Sequence, residues 1–210
     1  MFFTTFANKY YMATKRKLTK KEIANNERMA KQRAKRGFSD EDVWSIDYWF
    51  CETISLMLKQ LAKKPHGFQT LDENGDFIYK EKLTEEESDM YYKRWQDTIL
   101  HLAFLADEMH PEKGSMKNPY DKEWHRIHRV FEKKYGWYGE KLYTEEDKKD
   151  SEKTGCYKMY GPEHDPVHGE EYRKIMDSWL EYEHKIEEYR DKCKDEFFAL
   201  FSKYFRCLWD

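Results

Sequence analysis

The sequence predicts an all-α fold, an antiparallel helical bundle of about four helices carrying a basic N-terminal arm and a long Tyr-rich loop. Three observations carry that reading. Val43, Ile46, Phe50, Ile54, Met57 and Leu61 recur at three- and four-residue steps, the period of one helix face. Helix-start signals precede the apolar runs: Ser39 with Asp42 three residues on, and Thr84-Glu-Glu-Glu87. Breakers are few, nine Gly and five Pro in 210 residues, while aromatics make up 17% and each can bury on the order of 150–250 Å².

Taken in order, Met1–Phe6 is apolar, but no basic stretch precedes it and no h-region comes after it, so it does not read as a signal peptide. Residues 1–36 form a basic arm, partly helical from about Lys20 to Lys35, with Thr19 as cap, Glu22 at its third position and Gly37 as stop. Between residues 9 and 36 stand eleven Lys/Arg against Glu22 and Glu27, a balance of +9, which leaves −12 for the rest of a chain of net charge −3. Such an arm either binds an external polyanion through Arg28, Lys31, Arg33, Lys35 and Arg36, or folds back on its own acidic body.

Residues 37–210 then form the bundle domain. Its first helix runs from Asp40 to about Lys63 and stops at Pro65 and Gly67. Asp72-Glu-Asn-Gly-Asp76 is a turn signal between Phe68 and Phe77, where a short hairpin is expected. A helix from Thr84 to about Met109 lines up Tyr91, Trp95, Thr98, Leu102 and Leu105; another begins at Asn118-Pro119 and ends at Gly136. Gly136–Gly169 is polar, Tyr-rich and nearly free of aliphatic residues, and reads as a loop at 136–169. The last helix carries one stripe from Tyr172 through Trp179, Ile186, Cys193 and Phe197 to Tyr204 and on to Leu208. At 1.5 Å per residue it spans roughly 55 Å, more than a compact bundle needs, so it kinks or projects.

No run of about 18 apolar residues is present, so no membrane span is expected. Cys51, Cys156, Cys193 and Cys207 form no CxxC pair, which suits reduced thiols in a cytoplasm. Walker, GxGxxG, GxSxG and HExxH motifs are absent, and no cofactor is expected.

Several constellations carry two readings each. Asp121, His125, His128 and Glu132 fall on one helical stripe; His125 and His128 could bind a metal, or the stripe is the wet face opposite Trp124, Ile127 and Phe131. Asp107-x-x-His110 has half of a di-iron spacing, and Cys156, His164 and His168 lack a fourth zinc ligand. Asp47 sits on or beside the apolar stripe, so it reads as a buried structural carboxylate paired to Arg36, Arg94 or an indole N–H. Trp137, Tyr138, Tyr157, Lys158 and Tyr160 interleave rings with a cation in a segment too polar for a core, a combination that suits a nucleotide or a single strand.

Lys31-Gln-Arg-Ala-Lys-Arg-Gly-Phe-Ser-Asp-Glu-Asp-Val-Trp-Ser-Ile-Asp47 resembles an Arg-Gly-aromatic-Ser-Asp-x-Asp-x-Trp-x-aliphatic-Asp signature. Phe201-Ser-Lys-Tyr-Phe-Arg-Cys-Leu-Trp-Asp210 resembles the C-terminus of the same group, a set of uncharacterised proteins of tailed bacteriophages, and the likeness runs loosely through Trp95–Met109. The resemblance implies a viral origin and a site of action in the host cytoplasm, and transfers no activity. Pro111–Gly169 and the basic extension depart from the group.

Three functions stand as expectations. The first is a non-enzymatic binding protein made during infection, capturing a host protein or a small anionic or nucleotide signal to counter host defence. The second is a virion or nucleic-acid-associated structural protein that uses the arm. The third is a metal-dependent hydrolase using His125 and His128. Homo-oligomer formation is open in all three.

Overall fold

A computed structural model describes residues 17–209; Met1–Phe6 and the arm's basic residues before Lys17 lie outside the described residues. Among those described, six α-helices and three short 3-10 turns account for the regular structure, and the chain is all-α. It divides into two compact units, one up to Phe50 and one from Cys51. The described part of the arm, residues 17–36, lies in the unit that continues to Phe50.

In the first unit, helix α1 is Lys20–Arg36. Thr19 and Glu22 form the expected reciprocal cap: the Glu22 N–H donates to Thr19 Oγ1 at 3.3 Å and the Thr19 N–H to Glu22 Oε2 at 2.7 Å. Ser39 and Asp42 cap each other in the same way, at 2.7 and 3.3 Å. They open a turn rather than a helix, however, and helix α2 begins only at Ile46, running to Leu61. The N–H groups of Trp44 and Ser45 reach back only three residues, to Glu41 and Asp42, the tighter ladder of a 3-10 turn.

The expected apolar stripe is also displaced. Val43 is 54%, Ile46 61% and Met57 61% exposed, with Phe50 and Ile54 half-buried. The buried positions are Cys51, Ser55, Leu58 and Ala62, the adjoining small-residue face. In the second unit Ser55 makes this choice intelligible: its hydroxyl lies 2.8 Å from Asp107 Oδ1 and 3.3 Å from the Ala103 carbonyl, so a polar residue is satisfied inside. Lys59 also pairs with Asp107, and Gln96 donates to the Ala62 carbonyl at 2.6 Å. These contacts set α2 antiparallel to helix α3, Glu85–Glu108.

The spine of the second unit is the long C-terminal helix, which comes after helices α4 (Asp121–Tyr135) and α5 (Glu145–Thr154) and is labelled α6, Gly169–Tyr204. Helices α3 and α4 lie along it in succession, both antiparallel to it. The Trp95 and Tyr204 rings meet edge to face at 5.6 Å, His101 Nε2 lies 2.7 Å from Glu196 Oε1, and Arg190 donates to the Pro111 carbonyl where α3 has ended. Beyond that, Asn118 Nδ2 donates to the Trp179 carbonyl at 2.9 Å and Trp124 stacks on Trp179 at 4.9 Å. One seam therefore runs almost the length of α6. This explains why the helix needs neither a kink nor a free end: two helices in tandem cover it, in place of one bundle partner at each side. Ile99, Leu102, Leu105, Ile127, Phe131, Ile186 and Phe197 form the buried core of that seam.

Two segments close the ends of α6. Leu71 and Phe77 form an isolated antiparallel bridge around the Asp72–Asp76 turn, and the Tyr204 hydroxyl donates to the Gly75 carbonyl at 2.6 Å. At the other end, Gly136–Gly169 is ordered into more than a loop. It holds 3-10 turns at Glu140–Leu142 and Pro162–His164, with α5 between them. Thr144 and Asp147 cap α5 reciprocally, and Gly155 ends it in the left-handed region at φ +70°.

Candidate functional site

The site that the first unit builds is the turn between α1 and α2. Gly37 ends α1 at φ +86°, a conformation that costs glycine nothing, and its N–H donates to the Arg33 carbonyl at 2.9 Å. The chain then doubles back so that two aspartates meet the last turns of α1. Arg33 Nε donates to Asp42 Oδ2 at 2.8 Å, Gln32 Nε2 to Asp40 Oδ2 at 2.7 Å, and the Asp40 N–H to Gln32 Oε1 at 2.9 Å. Arg36 and Arg28 also pair with Asp40, and Arg36 Nε donates to the Phe38 carbonyl while its guanidinium lies over the Phe38 ring at 4.6 Å. Trp49 Nε1 donates to the Gly37 carbonyl at 3.2 Å, its ring edge-on to Phe38.

The guanidinium of Arg33, with the Ser39 N–H and hydroxyl, holds the Asp42 carboxyl well below the usual range, and Arg36 and Gln32 lower that of Asp40. Exposed ion pairs add little to stability singly. Here several converge on one short segment and fix its backbone.

That fixed backbone displays apolar side chains to solvent. Trp44 is 90% exposed, with exposed Val43 and Ile46 beside it in sequence and Glu41 and Asp47 flanking them. An indole offers a large contact area with few rotors, and a rigid turn has already met the ordering penalty of association. The sequence marks Trp44 only as part of the phage-like signature, gives it no site role, and assigns Val43 and Ile46 to the core. The signal that could have found them is the pair Asp40/Asp42 opposite Arg33/Arg36, which tethers the turn to α1 and delays the helix.

The other expected sites are mostly spent on the fold itself. Among the proposed polyanion contacts, Arg28, Arg33 and Arg36 are engaged by Asp40 and Asp42, while Lys31 and Lys35 are exposed along α1. Among the described residues of the arm, Arg28, Arg33 and Arg36 thus pair within their own unit. Asp47 is exposed, so the burial that was to demand a partner does not arise.

His125 and His128 are not on a wet face. Each Nδ1 lies against the carbonyl one turn back, Asp121 at 2.6 Å and Trp124 at 2.8 Å, and His128 stacks on Trp124 at 3.8 Å. Positions 124 and 128 are one turn apart and share a side, and burial pushes the His128 imidazole below its ordinary value. Among the described residues no three His, Cys, Asp or Glu side chains converge as metal ligands. Asp107 is engaged by Ser55 and Lys59, and His164 lies 3.0 Å from Glu163.

Of the Tyr-rich set, the structure brings Lys158 and Tyr160 together and leaves the rest outward. The Tyr160 hydroxyl donates to Asp147 Oδ2 at 2.9 Å, Lys158 Nζ sits 3.1 Å from Asp147 Oδ1, and the same Nζ lies over the Tyr160 ring at 5.0 Å. Tyr160 and Asp147 together raise the Lys158 ammonium above its ordinary value. This cation is consumed in pinning the 157–161 strip to the start of α5. Trp137, Tyr138 and Tyr157 are exposed.

No family model, no curated protein and no solved structure matches the chain. No helix among the described residues is long and apolar enough to cross a membrane, and all four cysteines are free.

Proposed function

We propose that this chain is a non-enzymatic binding protein that engages another protein through Val43, Trp44 and Ile46. The observation that carries the reading is the 90% exposure of Trp44 on a turn pinned by Arg28, Arg33, Arg36 and Gln32. Exposed large apolar side chains held in a fixed geometry are what a binding hot spot requires. The likeness of residues 31–47 and 201–210 to tailed-phage proteins supports an infected bacterial cytoplasm as the setting and a host protein, a defence component among them, as the partner. A small anion bound by the Tyr-rich segment has less support, because Lys158 and Tyr160 already serve Asp147. Nucleic acid at the arm has less support because three of the five cations proposed for it, Arg28, Arg33 and Arg36, already serve Asp40 and Asp42.

The test is crosslinking capture from bacterial host lysate with matched variants. The expected result is a discrete partner retained by the wild type and by Lys31→Ala/Lys35→Ala, and lost at least tenfold in Trp44→Ala, the scale of a Trp hot spot. Retention of the same partner by Trp44→Ala would overturn the proposal. Duplex DNA binding whose affinity falls steeply with salt and vanishes in the Lys31/Lys35 variant would favour the nucleic-acid reading instead.

A further inference from the structure

At the C-terminal end of α6 the second unit contains a cleft of about 520 Å³, lined by Phe77, Ser202, Lys203, Phe205, Arg206 and Cys207. Its walls are fixed from both sides. The Phe77 ring stands edge-on to buried Tyr204 at 5.7 Å, and the Phe205 ring is held edge-on to Phe201 at 5.5 Å. The hairpin that carries Phe77 is tied down by the Tyr204 hydroxyl on the Gly75 carbonyl and by Lys203, whose Nζ lies 2.6 Å from Asp76 Oδ1. Both residues that bring these rings to the lining are exposed, Phe77 at 48% and Phe205 at 64%.

The charges divide unequally. Lys203 pairs with Asp76, one of two aspartates, Asp72 and Asp76, that the hairpin turn brings to this end. Arg206 is exposed and has no ion-pair partner among the described residues. The carbonyl end of a long helix repels an anion, so the Arg206 guanidinium is the group on which anion recognition here would depend. Ser202 adds a hydroxyl donor on the same lining. Two rings, a guanidinium and a hydroxyl in one open cleft match a flat ring bearing a phosphate.

We infer that the Phe77–Phe205–Arg206 cleft binds a nucleoside monophosphate, its base against the two rings and its phosphate on Arg206 and Ser202. This site is separate from the turn at Trp44 and does not rest on the function proposed there. Calorimetric titration of the full chain with AMP, adenosine and inorganic phosphate tests it. AMP is expected to bind with one-to-one stoichiometry, with adenosine and phosphate each at least about tenfold weaker. Arg206→Gln should weaken AMP about tenfold or more while leaving adenosine unchanged, and Phe205→Ala should weaken both. Both side chains are exposed, so neither variant removes core packing. Trp44→Ala should leave the AMP titration as it is, which separates failure here from failure of the protein-binding reading. Absence of saturable AMP binding, phosphate binding as tight as AMP, or wild-type affinity in both variants would overturn the inference.

Discussion

His110 and His128 show how single buried rings write a pH dependence into the fold. His110 is almost fully buried, and its Nδ1 accepts the Glu112 N–H at 3.0 Å, a bond that exists only while that nitrogen is unprotonated. Burial, then the nearby Lys113 ammonium, holds its imidazole below the ordinary value; burial does the same for His128. A histidine whose folded value lies below its unfolded one favours the folded state when neutral. That contribution is complete above the unfolded value, near pH 6.5, and is lost as pH falls through it toward the folded values. Melting temperature should therefore drop between about pH 7 and pH 5, and the drop should flatten in His110→Gln/His128→Gln. A melting temperature that holds or rises over that range would contradict the assignment. The sequence groups His128 with Asp121 and Glu132 on a stripe opposite Trp124, as metal ligands or as a wet face; the one-turn spacing from Trp124, equally plain in the sequence, decides its side.

Two glycines at positive φ separate backbone strain from steric exclusion at the level of the element. Gly37 ends α1 at φ +86° with open space where a Cβ would stand, whereas at Gly75, φ +76°, a Cβ would meet the Tyr204 hydroxyl at 2.7 Å. Gly37→Ala should cost about 1–2 kcal/mol, the penalty of an L-residue in the left-handed region. Gly75→Ala should cost more, since it also displaces the hydroxyl that ties the hairpin to α6; urea unfolding of the two variants measures the difference, and equal losses would contradict it. At this scale the caps were legible: Thr19, Thr84 and Ser39 all form the reciprocal bonds that their spacing announces. Helix α5 was missed although Thr144-Glu-Glu-Asp147 has the same form, because its body, with no buried residue, offers no apolar period to track. It is held by its cap and by Lys158 and Tyr160 on Asp147, contacts distant enough in sequence to leave no local pattern. In α2 the larger apolar residues drew the reading to the wrong face, since a satisfied Ser55 and the small Cys51 and Ala62 carry little weight in a hydrophobic period.

Across the whole molecule, the aromatic and aliphatic material divides by purpose. Along the α6 seam, Trp95, Ile99, Leu102 and Phe197 are buried, and this seam, legible from the Tyr172–Tyr204 stripe, is where the all-α class is decided. In the first unit Val43, Trp44 and Ile46 face water, on a turn held by Arg33 on Asp42 and by Arg36 and Gln32 on Asp40. No periodicity distinguishes the two, because the apolar spacing is helical in both; tertiary ion pairs make the distinction. The decisive measurement is the urea unfolding midpoint of Trp44→Ala, with Leu102→Ala as the core reference. Leu102→Ala should lose about 2–5 kcal/mol. If Trp44 is held outward for a partner, its removal leaves stability within about 0.5 kcal/mol of the wild type; a loss of about 3 kcal/mol or more, the scale of an indole removed from a core, would show that it is packed inside and that the turn displays nothing.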